Sequence, residues 1–582
     1  MQKSIASTTP TRPLEEVGFK YQSQNTAAHA IARALLRHGV RHIFGQGVPN
    51  LLLLACEELG MTQVMYRAEN CGGYMADGYA RLSGKVPVVA AQNGPAATLL
   101  VAPLQEAMTA SIPLVALVKD VPRNTTDKEA FQEIDHLKLF QGCTKWTRIV
   151  NCAERVVDYI DMAFAIAASD RPGPVALMLP DDMLYEAVVE SPRVAALGRF
   201  PLDRALPQAA LLATAAEMIA QARAPVVIAG GGVHLSGAQD VLARLQQEAH
   251  VPVATTMSGK GVVADSHPLS IGYVGSAMGV FSPTRYQREL VTDADLVILV
   301  GNRTNQNGTD DYRLIPEAAD VIHIDVSAAN IGRNYEALRL CGDAREVLEA
   351  LLQRLSTQDL SVRAAARPAV EARIAQGREQ YLAEAAVVLE SDLAPIRPER
   401  LMHELDKVLQ ADDIVVADSS YSAFWIVHYL TARVPGQRFI SPRGLSGLGW
   451  GFPMAVGAKL AAPGQTVYCV VGDGGFAHAW SELETVKRMG IKVVLLVLNN
   501  GILGYSKHSD TFKFGTHSGA MKFSHVDHTL IARACGCEAV TVRTVDEIAP
   551  ALQQARASET TMLIDVMTDE KAFAPLTAYI PS

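Results

Sequence analysis

The chain has 582 residues, 49% of them hydrophobic and 19% charged, and it carries a net charge of −9. That balance is typical of a globular protein, and the acidic charge argues against nucleic acid as a partner. No run of 18 or more apolar residues is present, so no membrane span is expected. The segment from Met1 to Pro13 lacks the apolar core of a signal peptide, and the eight cysteines are scattered. Both features favour a cytoplasmic protein with reduced thiols.

Short apolar runs alternate with amphipathic helical stretches along the chain. The runs lack polar alternation, which predicts strands of parallel sheets covered on both faces, at Val86–Ala91, Pro113–Val118, Val175–Leu179, Val226–Ala229, Leu296–Val300, Val321–Val326, Ile414–Ala417, Val467–Val471, Val493–Leu498 and Leu563–Val566. Helices are predicted between them, among others at Ala27–His38, Ala97–Ala110, Gly237–His250, Glu399–Leu409 and Glu482–Met489. The pattern predicts an α/β fold of doubly wound parallel sheets.

Two segments interrupt this alternation. The first, Glu186–Pro207, contains proline and glycine with little strand signal, and the second, Ser356–Pro398, is polar and ends in prolines. We interpret both as linkers, the second partly helical. They divide the chain into three domains, which we place at residues 22–188, 205–355 and 390–575.

A Gly-Asp-Gly turn ends one apolar strand, and an Asn-Asn pair ends the next. Parallel strands bring such ends together at one edge of the sheet, where ligands bind. Asp473 and Asn500 supply oxygen ligands there, and a carbonyl near Ile502, diphosphate oxygens and water complete a set suited to Mg²⁺. Glycines let the backbone approach the phosphates closely, and these are Gly472, Gly474 and Gly475.

This segment resembles the diphosphate-anchoring motif of thiamine-diphosphate enzymes, and the resemblance covers nearly the whole chain. It implies pyrimidine-binding, middle and diphosphate-binding domains, in that order. A glutamate of the first domain contacts the cofactor's pyrimidine in that family, and the stretch Tyr66–Arg81 places it at Glu69. Gly94 is the second cofactor contact expected in this domain. Leu448 falls where a bulky apolar side chain supports the bent cofactor.

Other residues resemble the acetohydroxyacid (acetolactate) synthases. The stretch Asp127–Asp135 contains their Ala-Phe-Gln-Glu sequence, which places Phe131 in the substrate pocket. Gln132 and Lys145 would then orient donor or acceptor, although each is also compatible with ordinary packing. The resemblance implies a carboligase that decarboxylates pyruvate and transfers the two-carbon unit to a second carbonyl.

The middle domain resembles the flavin-holding domain of those enzymes. Arg303 would pair with the diphosphate of FAD, Asp325 with its ribose, and Gly231 lies in a glycine triplet. The sequence then departs from the family, because Thr304–Asn307 replaces Phe-Asp-Asp-Arg and removes a second arginine. We expect FAD in a structural role, and a nucleotide-free middle domain is the alternative.

The stretch after Asn500 also departs from the family. Tyr505 stands where the synthases carry methionine, and Ser509 where they carry tryptophan. Loss of the indole predicts a roomier and more polar acceptor pocket. This resembles flavin-containing carboligases that add two-carbon units to ketones, including a nucleotide-linked keto-sugar in the yersiniose type. Lys507 and His508 would either meet a polar acceptor or decorate an exposed loop.

The resemblance further implies a homodimer or homotetramer with active sites between subunits. A pyruvate decarboxylase or oxidase of the same fold is the main alternative. An acyl-CoA lyase is disfavoured, since no basic cluster is present for the CoA phosphates. A non-catalytic homologue is opposed by the intact set of Glu69, Asp473 and Asn500.

Overall fold

A computed structural model describes residues 25–579. They form three six-stranded sheets, all of whose strand pairs are parallel, with helices between the strands. The predicted fold of three doubly wound α/β units is thereby confirmed. The segment from Met1 to Pro13 and the first residues of the range 22–188 lie outside the described part. All eight cysteines are free, and no described helix is long and apolar enough to cross a membrane.

The first sheet has the strand order β2-β1-β3-β4-β6-β5. Its strands are β1 (His42–Phe44), β2 (Thr62–Val64), β3 (Val88–Ala91), β4 (Leu114–Asp120), β5 (Trp146–Ile149) and β6 (Pro174–Pro180). The accompanying helices are α1 (Ala27–Arg37), α2 (Asn50–Glu58), α3 (Glu69–Ser83), α4 (Pro95–Leu99), α5 (Val101–Ala110), α6 (His136–Gln141) and α7 (Val156–Ala168). All of β3 and β6 is buried, as strands covered on both faces require.

The second sheet has the order β12-β11-β10-β7-β8-β9. Its strands are β7 (Pro225–Ala229), β8 (Val253–Thr255), β9 (Ser270–Tyr273), β10 (Leu296–Val300), β11 (Asp320–Asp325) and β12 (Leu338–Cys341). The helices here are α8 (Ala209–Gln221), α9 (Gly232–Ser236), α10 (Gln239–Glu248), α11 (Glu289–Thr292), α12 (Ala344–Leu355) and α13 (Ser361–Leu389).

The third sheet has the order β14-β13-β15-β16-β18-β17. Its strands are β13 (Ile414–Ala417), β14 (Phe439–Ile440), β15 (Val467–Gly472), β16 (Val494–Asn499), β17 (Glu538–Val542) and β18 (Met562–Met567). The helices are α14 (Pro398–Val408), α15 (Tyr421–Tyr429), α16 (Gly451–Ala461), α17 (Asp473–Phe476), α18 (Glu482–Met489), α19 (Gly504–Phe514), α20 (His528–Ala534) and α21 (Ile548–Ala557).

Each sheet has an interior switch point at which its winding direction reverses. The reversals lie between β1 and β3, between β7 and β10, and between β13 and β15. Ligands bind beyond the carboxyl ends of the strands at such switch points in open parallel sheets. The topology therefore offers one binding crevice per sheet.

Two predicted helical stretches differ from the structure. The single helix predicted at Ala97–Ala110 is divided at Leu100 into α4 and α5, because Pro103 has no N–H for the carbonyl of Leu99. The stretch Ser356–Pro398, predicted as a partly helical linker, contains the 29-residue helix α13. Only seven of its residues are buried, Ile374 among them, so its amphipathic pattern is weak.

Helices α3 and α16 join the first and third units. A Cβ on Gly78 would lie 2.1 Å from the carbonyl oxygen of Met454, and one on Gly457 would lie 1.8 Å from that of Met75. Glycine at both positions lets the helix backbones touch. This contact fixes the start of α3, which carries Glu69, against the third unit.

Candidate active site at the third switch point

The Gly-Asp-Gly turn and the Asn-Asn pair lie side by side at the carboxyl edge of the third sheet. Gly472 at the end of β15 pairs with Leu498 of β16, and the chain then continues into Asp473 and Asn500. A cavity of about 550 Å³, its open mouth included, lies beside them. Its walls hold every residue predicted for the diphosphate and the metal, which are Gly472, Asp473, Gly474, Gly475, Leu448, Asn500 and Ile502.

Backbone amides hold the two predicted metal ligands. Asp473 Oδ2 accepts the N–H of Gly501 at 2.8 Å, and Asn500 Oδ1 accepts that of Ile502 at 3.2 Å. Burial raises the pKa of the Asp473 carboxyl despite its backbone donors. A divalent cation would compensate this buried charge, and carboxylate, amide and carbonyl oxygens are ligands that Mg²⁺ prefers. The residues present therefore fit Mg²⁺.

Two hydroxyls on the same walls have no partner within residues 25–579. Ser419 Oγ and Thr568 Oγ1 are buried, and each residue is only 3% exposed. Ser419 lies just before α15, which begins at Tyr421 on the cavity wall. Hydroxyl donors beside a helix N-terminus suit the oxygens of a phosphate group. The cavity therefore fits a diphosphate, and sequence reasoning missed both hydroxyls because their residue types are common in turns.

Asp418 clamps the loop that carries Leu448. Its carboxylate is 1% exposed and accepts the N–H groups of Gly449, Trp450 and Gly451 at 2.8 to 3.0 Å. Burial raises the pKa of Asp418, although the three amides act against that shift. The clamp fixes the loop at the start of α16 and thereby the side of the cavity formed by Leu448. A lone aspartate after a strand gave no sequence signal for this role.

The first asparagine of the pair has a structural role. Asn499 Nδ2 donates to the carboxylate of Asp565 at 3.1 Å, and His528 Nδ1 contacts the same carboxylate at 3.2 Å. All three side chains are buried. This network fixes the end of β16, from which Asn500 reaches the cavity.

Glu69 begins α3 and does not line the cavity beside Asp473. The buried carboxylate of Glu482 accepts the N–H groups of Arg67 and Ala68 at 3.0 and 3.1 Å, so it fixes the turn before Glu69. Glu69 itself is half-buried. In the described chain, the cavity walls come only from the range 398–572. One chain therefore leaves the predicted catalytic glutamate outside the predicted diphosphate cavity.

The structure brings Gly94 and Gln132 together at the first switch point. Gly94 follows β3 with a φ of 65°, and a Cβ there would lie 2.7 Å from that of Gln132. Gln132 Oε1 accepts from Gln92 Nε2 at 3.2 Å, and Gln132 also has a positive φ of 61°. Phe131, predicted in the substrate pocket, is 83% exposed and lines neither described cavity.

Lys145, predicted beside the substrate, caps a helix in the described chain. Its ammonium donates to the carbonyl oxygens of Ile166 and Ser169, the latter at 2.9 Å, at the end of α7. Burial lowers the pKa of Lys145, and the adjacent carbonyls satisfy its protons. Cations stabilise helix C-termini in this way. The sequence could not distinguish such a cap from an active-site lysine.

The stretch after Asn500 is a helix, α19, rather than an exposed loop. His508 is buried in it, donates from Nε2 to the carbonyl oxygen of Glu570 at 3.1 Å, and lies with Nδ1 3.0 Å from the Tyr421 hydroxyl. Since a carbonyl only accepts, the neutral ring accepts the Tyr421 proton at Nδ1. Burial lowers the pKa of His508. Lys507 pairs with Glu570 at 3.2 Å.

Two further predicted pocket residues lie on α19. Tyr505 is 43% exposed and contacts the Tyr421 ring edge-on at a centroid distance of 5.9 Å. Ser509 is half-buried. Tyr421 therefore connects α19 to the cavity beside Asp473, because its side chain contacts both Tyr505 and His508.

A larger cleft of about 1430 Å³, its open mouth included, lies at the second switch point. Gly231, Arg303 and Asp325 all line it. A Cβ on Gly230 would lie 2.3 Å from the carbonyl oxygen of Gly301, so the loops after β7 and β10 touch. Burial lowers the pKa of Arg303 to about 10, whereas it raises the pKa of Asp325.

The charge of this cleft favours an anionic ligand. Its walls carry guanidinium groups from all three units, namely Arg81, Arg171, Arg303, Arg438 and Arg443. His234 Nε2 donates to the carbonyl oxygen of Lys260 at 2.9 Å, and its buried Nδ1 has no partner in the described residues. Arginines together with a free acceptor suit a nucleotide diphosphate with hydroxyl or amino donors. The residues present therefore suit the diphosphate of a nucleotide, such as the one that FAD carries.

Three family descriptions match the chain in the order of the three sheets. These are "Thiamine pyrophosphate enzyme, N-terminal TPP binding domain" over residues 25–139, "central domain" over residues 212–351 and "C-terminal TPP binding domain" over residues 418–566. The first match contains Glu69, and the third contains Asp473 and Asn500.

Relatives that match this chain over nearly its whole length identify the branch of the family to which it belongs. A "Probable acetolactate synthase large subunit" of Methanocaldococcus jannaschii is 32% identical over 94% of this chain and 93% of the relative. An "Acetolactate synthase" of Arthrospira platensis is 32% identical over 95% and 96%. One of Mycobacterium bovis is 31% identical over 92% and 86%. The chain therefore belongs to the thiamine-pyrophosphate-dependent enzymes and, among them, to the acetolactate synthase family.

Proposed function

We propose that this enzyme decarboxylates pyruvate and transfers the two-carbon unit to the carbonyl group of a second substrate, a ketone or a 2-keto acid. The observation that carries the proposal is the cavity in which Asp473, Asn500 and Leu448 converge, in a chain similar over its length to acetolactate synthases. The product would be a 2-hydroxy ketone, and carbon dioxide would leave from pyruvate. No membrane or nucleic-acid partner enters this reaction, and we place it in the cytoplasm.

The chain's own residues hold the cofactor in the proposed reaction. When bound, thiamine diphosphate supplies a nucleophilic carbon and an electron sink for decarboxylation. Asp473, Asn500 and the carbonyl of Ile502 would hold Mg²⁺ against the diphosphate. Ser419 and Thr568 would donate hydrogen bonds to its oxygens.

Substrate-side roles fall to other side chains. Leu448 would support the bent cofactor. Its apolar side chain would also exclude water from the reacting carbon. The Glu69 carboxyl would hold a proton shared with a ring nitrogen of the pyrimidine. Gln132 would orient the substrate. Lys145 has no part in the proposal, because it caps α7.

We propose that two copies of the chain complete each active site. Glu69 lies outside the walls of the cavity beside Asp473, and those walls include no residue of the first unit. The first switch point also exposes Leu99, Phe131, Ile134 and Leu137. Such a patch on the surface supports contact with a second subunit. A homodimer is the smallest assembly that meets this need, and a homotetramer would repeat it.

We propose FAD for the cleft at the second switch point, in a structural role. Arg303 would meet its diphosphate, Asp325 a ribose hydroxyl, and His234 Nδ1 a hydroxyl or amino proton. A flavin absorbance band near about 450 nm in the purified protein would support this assignment. Purified protein that shows no such band after incubation with FAD would contradict it.

The acceptor is the second substrate, whose carbonyl group receives the two-carbon unit. Tyr505 and Ser509 replace larger or more apolar residues of the synthases, which supports a polar acceptor. We therefore propose two kinds of acceptor, a ketone and pyruvate itself. A pyruvate decarboxylase or oxidase would instead release acetaldehyde or acetate.

The test compares pyruvate alone with pyruvate plus cyclohexane-1,2-dione, using the holoenzyme with Mg²⁺. We expect carbon dioxide and a carbon–carbon bonded product, detected by mass spectrometry. Glu69→Gln should abolish both while cofactor binding persists. Release of acetaldehyde or acetate without any ligated product would overturn the proposal in favour of the decarboxylase or oxidase.

A further inference from the structure

Arg443 lines the cleft at the second switch point and differs from the other arginines there. Arg303 and Arg171 both donate to the carbonyl oxygen of Thr109, and Arg438 donates to the carbonyl oxygen of Arg81. The guanidinium of Arg443 donates no hydrogen bond and forms no ion pair anywhere in residues 25–579. The guanidinium lies over the ring of Phe424, 5.8 Å from the ring centroid. A half-buried guanidinium without a protein partner is a site for an anion.

The backbone that carries Arg443 is rigid. Glu106 is fully buried and accepts the N–H groups of Gly444 at 2.8 Å and Leu445 at 2.6 Å. A Cβ on Gly444 would lie 2.5 Å from the carbonyl oxygen of Glu106. Arg303 also donates to the carbonyl oxygen of Arg443 at 3.3 Å. The guanidinium therefore projects from a fixed loop, as a residue that recognises a ligand must.

The position of Arg443 connects the cleft with the cofactor cavity. Phe424 lies on α15, whose first residue Tyr421 lines that cavity. Burial lowers the pKa of Arg443. The Tyr273 phenol, the Glu106 carboxyl and the Tyr505 phenol on α19 lie close enough to oppose that shift in part. Arg443 thus lies within electrostatic reach of Tyr505, which we assign to the acceptor side of the site, and it contacts the helix that begins at Tyr421 on the cavity wall.

We propose that Arg443 is a specificity-determining residue that binds an anionic group of the acceptor, the carboxylate of a 2-keto acid or the phosphate of a phosphorylated ketone. This inference rests on the proposed carboligation. The remaining arginines leave enough positive charge for a nucleotide. Removal of a charge-assisted hydrogen bond in a site of this kind weakens binding roughly tenfold to hundredfold.

The experiment holds pyruvate saturating as donor and varies the acceptor. The acceptors are 2-ketobutyrate, dihydroxyacetone phosphate and the neutral cyclohexane-1,2-dione, and the proteins are wild type, Arg443→Met, Arg443→Lys and the exposed control Lys513→Met. We expect Arg443→Met to raise KM roughly tenfold to hundredfold for an anionic acceptor and to leave the neutral one unchanged. Arg443→Lys should restore part of the loss. The anion that responds identifies carboxylate or phosphate.

Three outcomes would overturn the assignment. An equal loss with charged and neutral acceptors would give Arg443 a structural role. A drop in absorbance at about 450 nm would assign it to the flavin instead. No change with any acceptor would remove it from the site. Failure of wild type to ligate any acceptor is a different result, because it refutes the proposed function itself.

A measurement on the wild-type holoenzyme guards against misfolded variants. Phenylglyoxal modifies accessible arginines, and peptide mass spectrometry reports its rate at Arg443. We expect the anionic keto-acid analogue oxamate to slow this modification and neutral acetamide to leave it unchanged. Equal rates with both additives would contradict an anion site at Arg443.

Discussion

Asp418→Asn tests whether the loop that carries Leu448 must be clamped for the cofactor to bind. The carboxylate accepts the N–H of Gly449 through Oδ2 and those of Trp450 and Gly451 through Oδ1. An asparagine keeps one acceptor oxygen, so the N–H of Gly449 loses its partner and faces an amino group instead. A hydrogen bond to a charged group is worth about 1.5–3 kcal/mol.

Two effects of this substitution on stability oppose each other. Burial raises the pKa of Asp418, so its ionised form carries a desolvation cost that asparagine removes. The free energy of unfolding should therefore fall by less than the value of the lost bond. The loop that carries Leu448 also loses order, and no gain in solvation compensates for the effect of that loss on cofactor binding. We expect thiamine diphosphate to bind roughly tenfold to hundredfold more weakly, since about 1.4 kcal/mol is a factor of ten.

The assay is a titration of the variant with thiamine diphosphate and Mg²⁺, followed by tryptophan fluorescence. Trp425 lines the cavity and supplies the signal. Asp412→Asn, at an exposed aspartate just before β13, is the matched control and should bind as wild type does. A Kd for Asp418→Asn within about twofold of wild type would refute the reasoning, because the clamp would then have no role in binding.

Three further predictions follow from single contacts. Gly457→Ala places a Cβ 1.8 Å from a backbone oxygen of α3 and should lower the free energy of unfolding by roughly 1–3 kcal/mol or more in urea titrations. Gly464→Ala, where no atom lies within 4 Å, should change it by less than about 0.5 kcal/mol. Because burial lowers the pKa of His508, its contribution to stability is present above pH 6.5 and is lost as the pH falls through its folded value. The Tm of wild type should therefore fall more steeply than that of His508→Gln between about pH 7 and about pH 5, and parallel curves would contradict this. Asp473→Asn should abolish Mg²⁺-dependent binding of thiamine diphosphate in calorimetry, and retained binding would refute the assigned metal ligand.

The ten predicted strands were predictable because each is a largely apolar run, whereas short or partly exposed strands such as β2 (Thr62–Val64) and β5 (Trp146–Ile149) were not predicted. The runs at Leu296–Val300 and Ile414–Ala417 match β10 and β13 residue for residue. The long helix α13 was underestimated for the opposite reason, since it buries few residues and shows little periodicity. Local composition therefore predicts strands that are buried on both faces well. It predicts helices that pack shallowly on one side poorly.

The residues predicted for the diphosphate and the metal line one cavity because the motif is local in sequence. Asp473 and Asn500 end neighbouring strands, so the register of β15 and β16 alone brings them together. The capping contacts of Lys145 could not be predicted in this way, because no such local constraint marks them. Its target, the end of α7, lies about twenty residues further along the chain, and no pattern marks a cap of that kind.

The sequence by itself therefore determined the fold class, the cofactor motif and the family resemblance, because each depends on residues near one another along the chain. Only the tertiary structure decided which side chains serve them. Asp418 and Glu482 accept hydrogen bonds across gaps of 31 and 415 residues. Ser419 and Thr568 are recognised by burial and by the lack of a hydrogen-bond partner within residues 25–579. Arg443 is the extreme case. Its sequence neighbours are ordinary, and its unpaired charge becomes visible only where three units meet around one cleft.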